Sequence, residues 1–286
     1  MMKYAVQTDK KPVYHDYTKA KVYGFAVLAV LLVGIAVFAS FLCPYDPNGQ
    51  NYAAALQPPS TVHVLGTDRY GRDMLSRVIM GTQASVLSAG IVVAAAAVIG
   101  TSIGAHGAYF GGMTDTIIMR LADVCLAFPS LVFALAVTAV FHGGIETAML
   151  ALLGIGWPKY ARLARSQTLM LKEQPFMAAA QLAGTSPQYM MLRHILPNIG
   201  STIMTTAALD IGTVMMELAA LSFLGLGAKP PLAEWGSMMN VGRSMLQTYP
   251  WVVFAPGAAI FIAVSIFNLL GDSLRDYWDT RRKGSI

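Results

Sequence analysis

The sequence predicts an all-α integral membrane protein with six transmembrane helices and a helical hairpin on its cytoplasmic side. Of its 286 residues, 55% are hydrophobic and only 12% are charged, whereas a soluble domain carries about a quarter charged residues. Apolar runs long enough to cross a bilayer core recur along the chain. This composition excludes a soluble enzyme. The net charge of +5 does not indicate nucleic-acid binding, because the basic residues are scattered between apolar runs.

Six apolar segments are predicted to span the membrane, between a cytoplasmic tail of residues 1–21 and another of residues 273–286. The first has no charged residue, and the 21-residue polar lead before it is long for a cleaved signal peptide. The fourth is the least apolar, and we expect Lys159 and Arg162 to extend from its end toward the headgroups. The predicted spans are residues 22–45, 82–105, 122–142, 145–164, 201–225 and 249–271.

Two features within the spans predict how the helices pack and bend. Gly100 and Gly104 in the second span have the small-xxx-small spacing that lets helix backbones approach closely. Pro129 falls in the first turns of the third span, and Pro256 lies inside the sixth. We therefore expect one close helix pair and two local distortions.

The distribution of lysine and arginine predicts the orientation of the bundle. With the N-terminus in the cytoplasm, the inner segments hold 15 of the 20 basic residues and the outer loops hold five. Cytoplasmic loops of membrane proteins carry such an excess of basic residues. We therefore expect both termini to lie in the cytoplasm.

The inner segment of residues 165–200 is too long for a simple connection between helices and predicts a hairpin of two short helices. The first helix, residues 166–183, is interrupted or kinked at Pro175, and Gly184 is placed to end it in a left-handed cap. Ser186 and Pro187 suit the N-cap and first position of the second helix. That helix should end near Leu196, because Pro197 disfavours helical geometry in the residue before it.

The predicted hairpin carries several large apolar side chains. An amphipathic helix of this kind docks into a groove of a partner, folds back on the bundle, or lies among the lipid headgroups. The sequence leaves these alternatives open. The side chains are those of Phe176, Met177, Leu182, Tyr189 and Met190.

Several motifs resemble those of the permease subunits of ABC importers. That family's coupling loop has an acidic residue and two alanines, a glycine four residues later, and a closing Ile-x-Leu-Pro, and the hairpin of this chain is similar to it. The resemblance implies that the hairpin contacts an ATPase through Ala178, Ala179, Ala180, Gly184, Thr185, Ser186, Pro187 and Pro197.

Other motifs resemble the peptide/nickel branch of that family, and in particular its second, C-type permease. They extend over nearly the whole chain after Pro44. They are Leu65-Gly66-Thr67-Asp68, Gly71-Arg72-Asp73, Arg120-Leu121-Ala122-Asp123, Phe128-Pro129, Leu221-Ser222-Phe223-Leu224-Gly225-Leu226-Gly227, Glu234-Trp235-Gly236, Phe267-Asn268-Leu269-Leu270-Gly271-Asp272 and Leu274-Arg275-Asp276.

The hairpin departs from the family pattern at two positions. Ala178 stands where the family has its acidic residue, and His194 begins the closing motif. Without the carboxylate, we expect docking to depend on shape and apolar contact, since a single charge at the rim of an interface contributes little.

The resemblance implies an energy source and partners outside this chain. It implies a bacterial inner-membrane complex with two cytoplasmic ATPases, a second homologous permease and an extracytoplasmic solute-binding protein, and no nucleic acid. Independently, no G-x-x-x-x-G-K-[ST] phosphate loop occurs in the sequence, so ATP and its Mg²⁺ would be bound by other chains. We therefore expect a transport subunit with neither an enzymatic activity nor a cofactor of its own.

Two acidic residues, Asp210 and Glu217, are candidates for lining the translocation path, since both lie well inside the fifth span. Seven residues apart, they lie about 10 Å from each other along one face of a helix. They could attract a cation or the amino group of a ligand, or each could satisfy a donor between helices. We expect Asp210 to face the path. We expect Glu217 to be structural, because family members commonly carry an acid there.

The cargo is predicted less directly. Leu209-Asp210-Ile211-Gly212 resembles the nickel-type members of the branch, and a carboxylate suits a divalent ion or a metal chelate as a waypoint. We therefore favour nickel or a metal chelate, with di- or oligopeptides as the alternative. No metal ligands are assigned, because His106, His142 and His194 have no ligand spacing.

Two other functional classes are weaker alternatives. A secondary transporter driven by an ion gradient should show inverted repeats and broken helices at matching positions, and the sequence has no such symmetry. A membrane-embedded enzyme should carry a catalytic motif such as H-E-x-x-H, or a G-x-S-x-G sequence at a turn between a strand and a helix. H-E-x-x-H does not occur, and the G-x-S-x-G match at residues 100–104 lies inside the second predicted span.

Overall fold

The computed structural model describes the backbone of residues 14–283 and the side chains of residues 17–278. Residues 1–13 of the predicted N-terminal tail lie outside the described residues. The described chain is helical and contains no β-strand. The helices are α1 (Tyr14–Val37), α2 (Ala39–Leu42), α3 (Met74–Thr82), α4 (Ser88–Phe110), α5 (Gly112–Leu126), α6 (Ser130–Val140), α7 (Ile145–Lys172), α8 (Pro175–Leu182), α9 (Pro187–Tyr189), α10 (Leu196–Phe223), α11 (Trp235–Gly242) and α12 (Trp251–Lys283).

Short turns of other pitch extend or join these helices. A π turn of Gln83–Leu87 joins α3 to α4, and a second π turn of Met190–Ile195 joins α9 to α10. Single 3₁₀ turns occur at Tyr52–Ala54 and Arg243–Met245. The longest helices of the bundle are therefore continuous across each π turn.

Four helical segments of the described chain are long and apolar enough to cross a membrane. The bent pair α5 and α6 makes a fifth if it is counted as one span. Helix α7, predicted as the fourth span, has 28 residues, but its second half carries Lys159, Arg162, Arg165 and Lys172 and it is not among them. The expected count of six spans is therefore not confirmed. The four segments are Tyr17–Val37, Met74–Phe110, Pro187–Phe223 and Trp251–Trp278.

The third predicted span, residues 122–142, is not one continuous helix. Helices α5 and α6 meet at an angle of 84°, and Pro129 lies at the break. Proline has no amide hydrogen and disfavours helical geometry in the preceding residue, so it ends α5 rather than bending it slightly. Helix α6 has 11 residues, about 16 Å, and cannot cross a bilayer core by itself.

The expectation that a hairpin helix ends before Pro197 is wrong. Helix α9, the π turn and α10 form one continuous helix from Pro187 to Phe223. A π turn widens the helix by one residue and so accommodates the proline ring. The Asn198 side-chain amide donates to the His194 carbonyl at 2.6 Å, so this carbonyl, one turn before the proline, has a hydrogen-bond donor. The predicted second helix and fifth span are therefore parts of a single rod.

Two further expectations concern the chain at Pro175 and the C-terminal end of the last helix. The chain does break before Pro175, since α7 ends at Lys172 and α8 begins at Pro175. At the C-terminal end, α12 continues beyond the predicted limit of residue 271 as far as Lys283. Most of the segment predicted as a tail, residues 273–286, is therefore helical.

Helices α4 and α7 form the closest pair in the bundle, and two glycines of α4 make this contact possible. A Cβ atom added to Gly100 would lie 2.3 Å from the Trp157 carbonyl oxygen. One added to Gly104 would lie 2.1 Å from the Ala161 carbonyl oxygen. Both distances are too short for any side chain, so the prediction of a close helix approach at this spacing is confirmed.

At the opposite end from the hairpin, the residues Glu234-Trp235-Gly236 attach α11 to the bundle. The Glu234 carboxylate accepts hydrogen bonds from the amides of Gly236 and Ser237 at 2.9 and 2.8 Å, and so caps α11. Burial raises the pKa of Glu234, and these hydrogen bonds oppose the rise. The Trp235 indole is buried and donates to the Val78 carbonyl at 2.9 Å, which joins α11 to α3.

The loop before α3 contains charged residues that are paired internally. The Arg72 Nε donates to Asp68 Oδ2 at 2.7 Å, and both side chains are buried. Asp73 accepts from the Ser76 amide at 2.7 Å and caps α3. Gly71 has φ +69°, and a Cβ there would lie 1.7 Å from the Asn51 carbonyl oxygen, so only glycine fits. The charges thus stabilise the loop and do not form a solvated surface.

We predict that Gly104→Ala lowers the free energy of unfolding by about 1–3 kcal/mol, the usual cost of overpacking a core. Gly90→Ala on the same helix is the matched control, because a Cβ at Gly90 would meet nothing within 4 Å. Thermal unfolding in detergent, followed by tryptophan fluorescence, measures both. Equal stability of the two variants would contradict the close contact of α4 and α7.

Candidate functional site

The hairpin begins with α8, which ends in a left-handed glycine cap. Gly184 has φ +79°. Its amide donates to the Gln181 carbonyl at 3.0 Å, and the Thr185 amide donates to the Ala180 carbonyl at 3.1 Å. This pair of bonds is the Schellman arrangement, which needs a positive φ at the glycine. The predicted cap at Gly184 is therefore confirmed.

The start of the second helix also follows the prediction. The Ser186 side chain accepts from the Tyr189 amide at 3.4 Å, and Pro187 occupies the first turn. Serine satisfies an amide that has no partner within the helix, and proline lacks the hydrogen that would need one. Only four residues, 183–186, therefore connect α8 to α9.

The hairpin has one face on the bundle and one face outside. The side chains of Met177 and Met190 are 0% exposed, and they pack in one core cluster with Tyr160, Ile195 and Ile199. Among the alternatives that the sequence leaves open, these two methionines fold back on the bundle and anchor the hairpin. The outward apolar side chains are those of Leu182, 90% exposed, Leu192, 68%, Tyr189, 54%, and Phe176, 43%.

The family-motif positions lie mostly on this outward side. Ala178, Ala179, Gly184, Ser186, Pro187 and Pro197 are exposed, and Ala180 and Thr185 are half-buried. His194 lies between two aromatic rings, with centroid distances of 6.3 Å to Phe176 and 6.0 Å to Tyr189. The histidine that replaces the family's isoleucine therefore belongs to the aromatic surface of the hairpin.

The basic residues near the end of α7 attach the hairpin to α4 and α5. Arg165 makes a bidentate pair with Asp115, with both N–H···O distances at 2.7 Å. Lys172 donates to the carbonyls of Ala108 and Tyr109 at the end of α4. Arg162 pairs with Asp123. Arg162 thus has an acidic partner on α5, and both side chains of this ion pair are about half exposed.

Asp210 is held by two side chains of α7. Lys159 Nζ lies 2.5 Å from Asp210 Oδ1, and the Tyr160 hydroxyl donates to Asp210 Oδ2 at 2.8 Å. The Lys159 side chain is 54% exposed and that of Asp210 is 13% exposed. Lys159, which the sequence placed at the membrane surface, thus contacts the carboxylate predicted to lie in the path.

Asp210 and Glu217 line the same cavity, which has a volume of about 210 Å³ between α4, α6, α7 and α10. A single water molecule needs only about 10–15 Å³ of such space. Glu217 Oε1 accepts from the Ser130 hydroxyl at 2.5 Å, which connects α10 to α6. Glu217 therefore has a structural contact and a face on the cavity.

A second, more polar cavity of about 280 Å³ lies nearer the hairpin, between α7, α10 and α12. Its lining is rich in hydroxyl groups and contains one guanidinium. The Thr205 and Thr206 hydroxyls donate to the carbonyls four residues before them, so their free lone pairs can accept hydrogen bonds. The lining residues are Gln167, Ser201, Thr202, Thr205, Thr206, Leu209, Arg275 and Trp278.

Polar residues on one face of α10 line both cavities. Thr202 and Thr206 line the cavity near the hairpin, and Asp210, Thr213 and Glu217 line the other. At 100° per residue these five positions fall within about 80° of arc and extend over about 22 Å. The spacing of i, i+4, i+8, i+11 and i+15 could have been found in the sequence by extending the Asp210–Glu217 pattern backward.

Sequence reasoning missed Lys159, Tyr160 and Ser130 as contacts of the two carboxylates. Lys159 and Tyr160 precede Asp210 by 51 and 50 residues, and Ser130 precedes Glu217 by 87. No local pattern indicates such pairs, although a lysine beside the apolar core of a span is itself a signal for a partner at depth.

The structure does not support a metal site. In the part of the chain that the structure describes, no group of three or more histidine, cysteine, aspartate or glutamate side chains could hold a metal ion. In the ion pair of Lys159 with Asp210, the Lys159 ammonium lies where it would repel a divalent metal ion. The preference for nickel is therefore not supported by the geometry.

Comparison with known proteins gives consistent similarities. Residues 96–284 match the model for the binding-protein-dependent transport system inner membrane component, and residues 19–59 match the N-terminal transmembrane domain of oligopeptide transport permease C. A glutathione transport system permease protein GsiD from Escherichia coli is 43% identical over 260 residues, 91% of this chain and 86% of that protein.

Two further comparisons agree with this. The probable D,D-dipeptide transport system permease protein DdpC of Escherichia coli K12 is 40% identical over 91% of this chain and 87% of its own length. Among solved structures, a chain of the MetNI methionine ABC transporter in an inward-facing conformation has a TM-score of 0.54 at 16% identity. The match covers 71% of this chain and 97% of the MetNI chain. At this level of identity, the match shows only that the two chains share a fold.

We predict that Met190→Ala lowers the free energy of unfolding by about 2–5 kcal/mol, the usual cost of truncating a buried methionine. Leu192→Ala is the control, because Leu192 is 68% exposed and should change stability by less than about 0.5 kcal/mol. Thermal unfolding measures the stability, and limited proteolysis between α7 and α10 reports whether the hairpin has detached. A stable, protease-resistant Met190→Ala variant would contradict the anchored hairpin.

Proposed function

Because this chain belongs to the family of binding-protein-dependent transport system inner membrane components and is a permease subunit of an ABC importer, we propose that it forms half of a membrane path for short peptides. The observation that carries the proposal is the polar face of α10, which lines both cavities and carries Asp210 and Glu217 in the one between α4, α6, α7 and α10. Peptides are preferred over nickel. The similar permeases are named for glutathione and D,D-dipeptide transport, and the described residues offer no group of metal ligands.

The outward face of the hairpin is the proposed contact with a cytoplasmic ATPase. Its apolar side chains project from a short helix pair that is anchored by Met177 and Met190. A helix that presents spaced apolar side chains suits a hydrophobic groove. Ala178 provides no charge here, so the energy of docking comes from burying Leu182, Tyr189 and Phe176.

The remaining parts of the importer follow from this assignment. Two partner ATPases bind ATP with Mg²⁺, a second homologous permease completes the path, and an extracytoplasmic binding protein delivers the peptide. The hairpin then lies in the cytoplasm with both chain termini, in a bacterial cell membrane, which agrees with the excess of basic residues on that side.

Reconstitution tests the cargo. The chain is assembled in vesicles with the permease, ATPases and binding protein encoded beside it, and uptake of labelled glutathione, trialanine and Ni²⁺ is compared. We expect uptake of at least one peptide that requires ATP and the binding protein, and no uptake of Ni²⁺. ATP-dependent Ni²⁺ uptake without peptide uptake would overturn the proposal.

We predict that Leu182→Ser lowers the ATP hydrolysis stimulated by the loaded binding protein by roughly tenfold. Burying a leucine contributes about 1.5–3 kcal/mol, and Leu182 is 90% exposed in the chain alone. Gln181→Ser, at the neighbouring exposed polar position, is the matched control and should behave as wild type. Normal stimulation in Leu182→Ser, with co-purification of the ATPases, would show that another surface makes the contact.

A further inference from the structure

The cavity between α4, α6, α7 and α10 contains one cation and two carboxylates. Lys159, Asp210 and Glu217 line it, and the other described residues of its lining are uncharged and mostly apolar. A polar solute that enters this space finds its strongest partners in these three groups. A zwitterionic peptide carries one ammonium and one carboxylate, which need an acceptor and a donor at separate places.

We propose that Lys159 binds the terminal carboxylate, and Glu217 the terminal ammonium, of a short peptide while it passes through this cavity. The inference rests on the peptide cargo proposed above. It identifies which ends of the cargo are recognised inside the membrane, and by which side chains.

The spacing of the charges suits a peptide of about three residues. Lys159 is bound to Asp210 at 2.5 Å, and Glu217 lies seven residues further along α10, about 10 Å away along the helix axis. An extended chain covers at most about 3.3–3.6 Å per residue. Three residues therefore place one terminus near Lys159 and the other near Glu217, with the side chains along the apolar wall.

Asp210 acts as a positioning residue for Lys159. The Tyr160 hydroxyl donates to the second oxygen of the same carboxylate at 2.8 Å, so Asp210 is fixed from two sides. The Lys159 side chain is 54% exposed, in contrast to 13% for Asp210. Ion pairs with an exposed partner are weak, so the ammonium can turn toward an arriving carboxylate while Asp210 stays in place.

The experiment uses the complete importer in vesicles, with trialanine, its C-terminal amide and its N-acetyl derivative as probes. Binding of each probe to the receptor is first measured by calorimetry, and transport is expressed as peptide moved per ATP hydrolysed at equal receptor loading. We expect the wild type to move free trialanine roughly tenfold better than either capped form, the factor that one hydrogen bond to a charged group provides.

The variants separate binding from structure. Lys159→Gln should abolish the preference for the free acid over the amide and leave the preference for the free amine. Glu217→Gln should do the reverse. Arg162→Gln is the matched control, because it removes a positive charge three residues away on α7 that pairs with Asp123 and does not line the cavity; it should keep both preferences.

Each outcome bears on the inference. An equal loss of transport for all three probes in Lys159→Gln would indicate a merely structural ion pair and overturn it. If the solute-binding protein does not bind the capped peptides, Lys159→Gln must still lower the amount of trialanine transported per ATP hydrolysed. An unchanged amount of trialanine per ATP would overturn the inference. If the wild-type importer transports neither trialanine nor glutathione, the proposed peptide function is wrong. That result differs from peptide uptake that is the same in the wild type and in Lys159→Gln, which would overturn only the inference about Lys159.

Discussion

The close contact between α4 and α7 determines where the charged side chains of α7 lie in this bundle. Gly100 and Gly104 let the α7 backbone approach so closely that a single added Cβ would overlap a carbonyl oxygen. Helix α7 is not among the helices that are apolar enough to count as candidate spans. Charge at membrane depth usually faces the protein interior or a water-filled cavity and is paired. The glycine contact fixes α7 where three of its four cations meet an acid and the fourth, Lys172, meets two carbonyl oxygens.

Three ion pairs follow from that position. Arg165 meets Asp115, Arg162 meets Asp123 and Lys159 meets Asp210, so one face of α7 binds α5 and another binds α10. The same helix supports the hairpin, because it leads directly into α8 and its Tyr160 packs with Met177 and Met190. The outward face of the hairpin and the polar cavity therefore share one support.

The continuous helix from Pro187 to Phe223 joins the two sites mechanically. Its first turns form part of the outward hairpin surface, and its later turns carry Asp210 and Glu217. The π turn at Met190–Ile195 keeps the rod unbroken across Pro197. Part of the outward surface of the hairpin and the polar face of α10 therefore lie on one continuous helix.

The sequence by itself determined the membrane class, several long apolar helices, and the local motifs for helix capping and close packing. Hydrophobic runs, the Gly100–Gly104 spacing, the cap at Gly184 and the N-cap at Ser186 depend on residues a few positions apart, so pattern alone predicts them. The tertiary structure decided the bend at Pro129, the burial of Met177 and Met190, the helix through Pro197 and the partner of Lys159. Lys159 and its partner are 51 residues apart, the two methionines are buried by faces that meet only in the folded bundle, and the helix through Pro197 needs a change of helical pitch. Packing of the whole bundle selects among such alternatives.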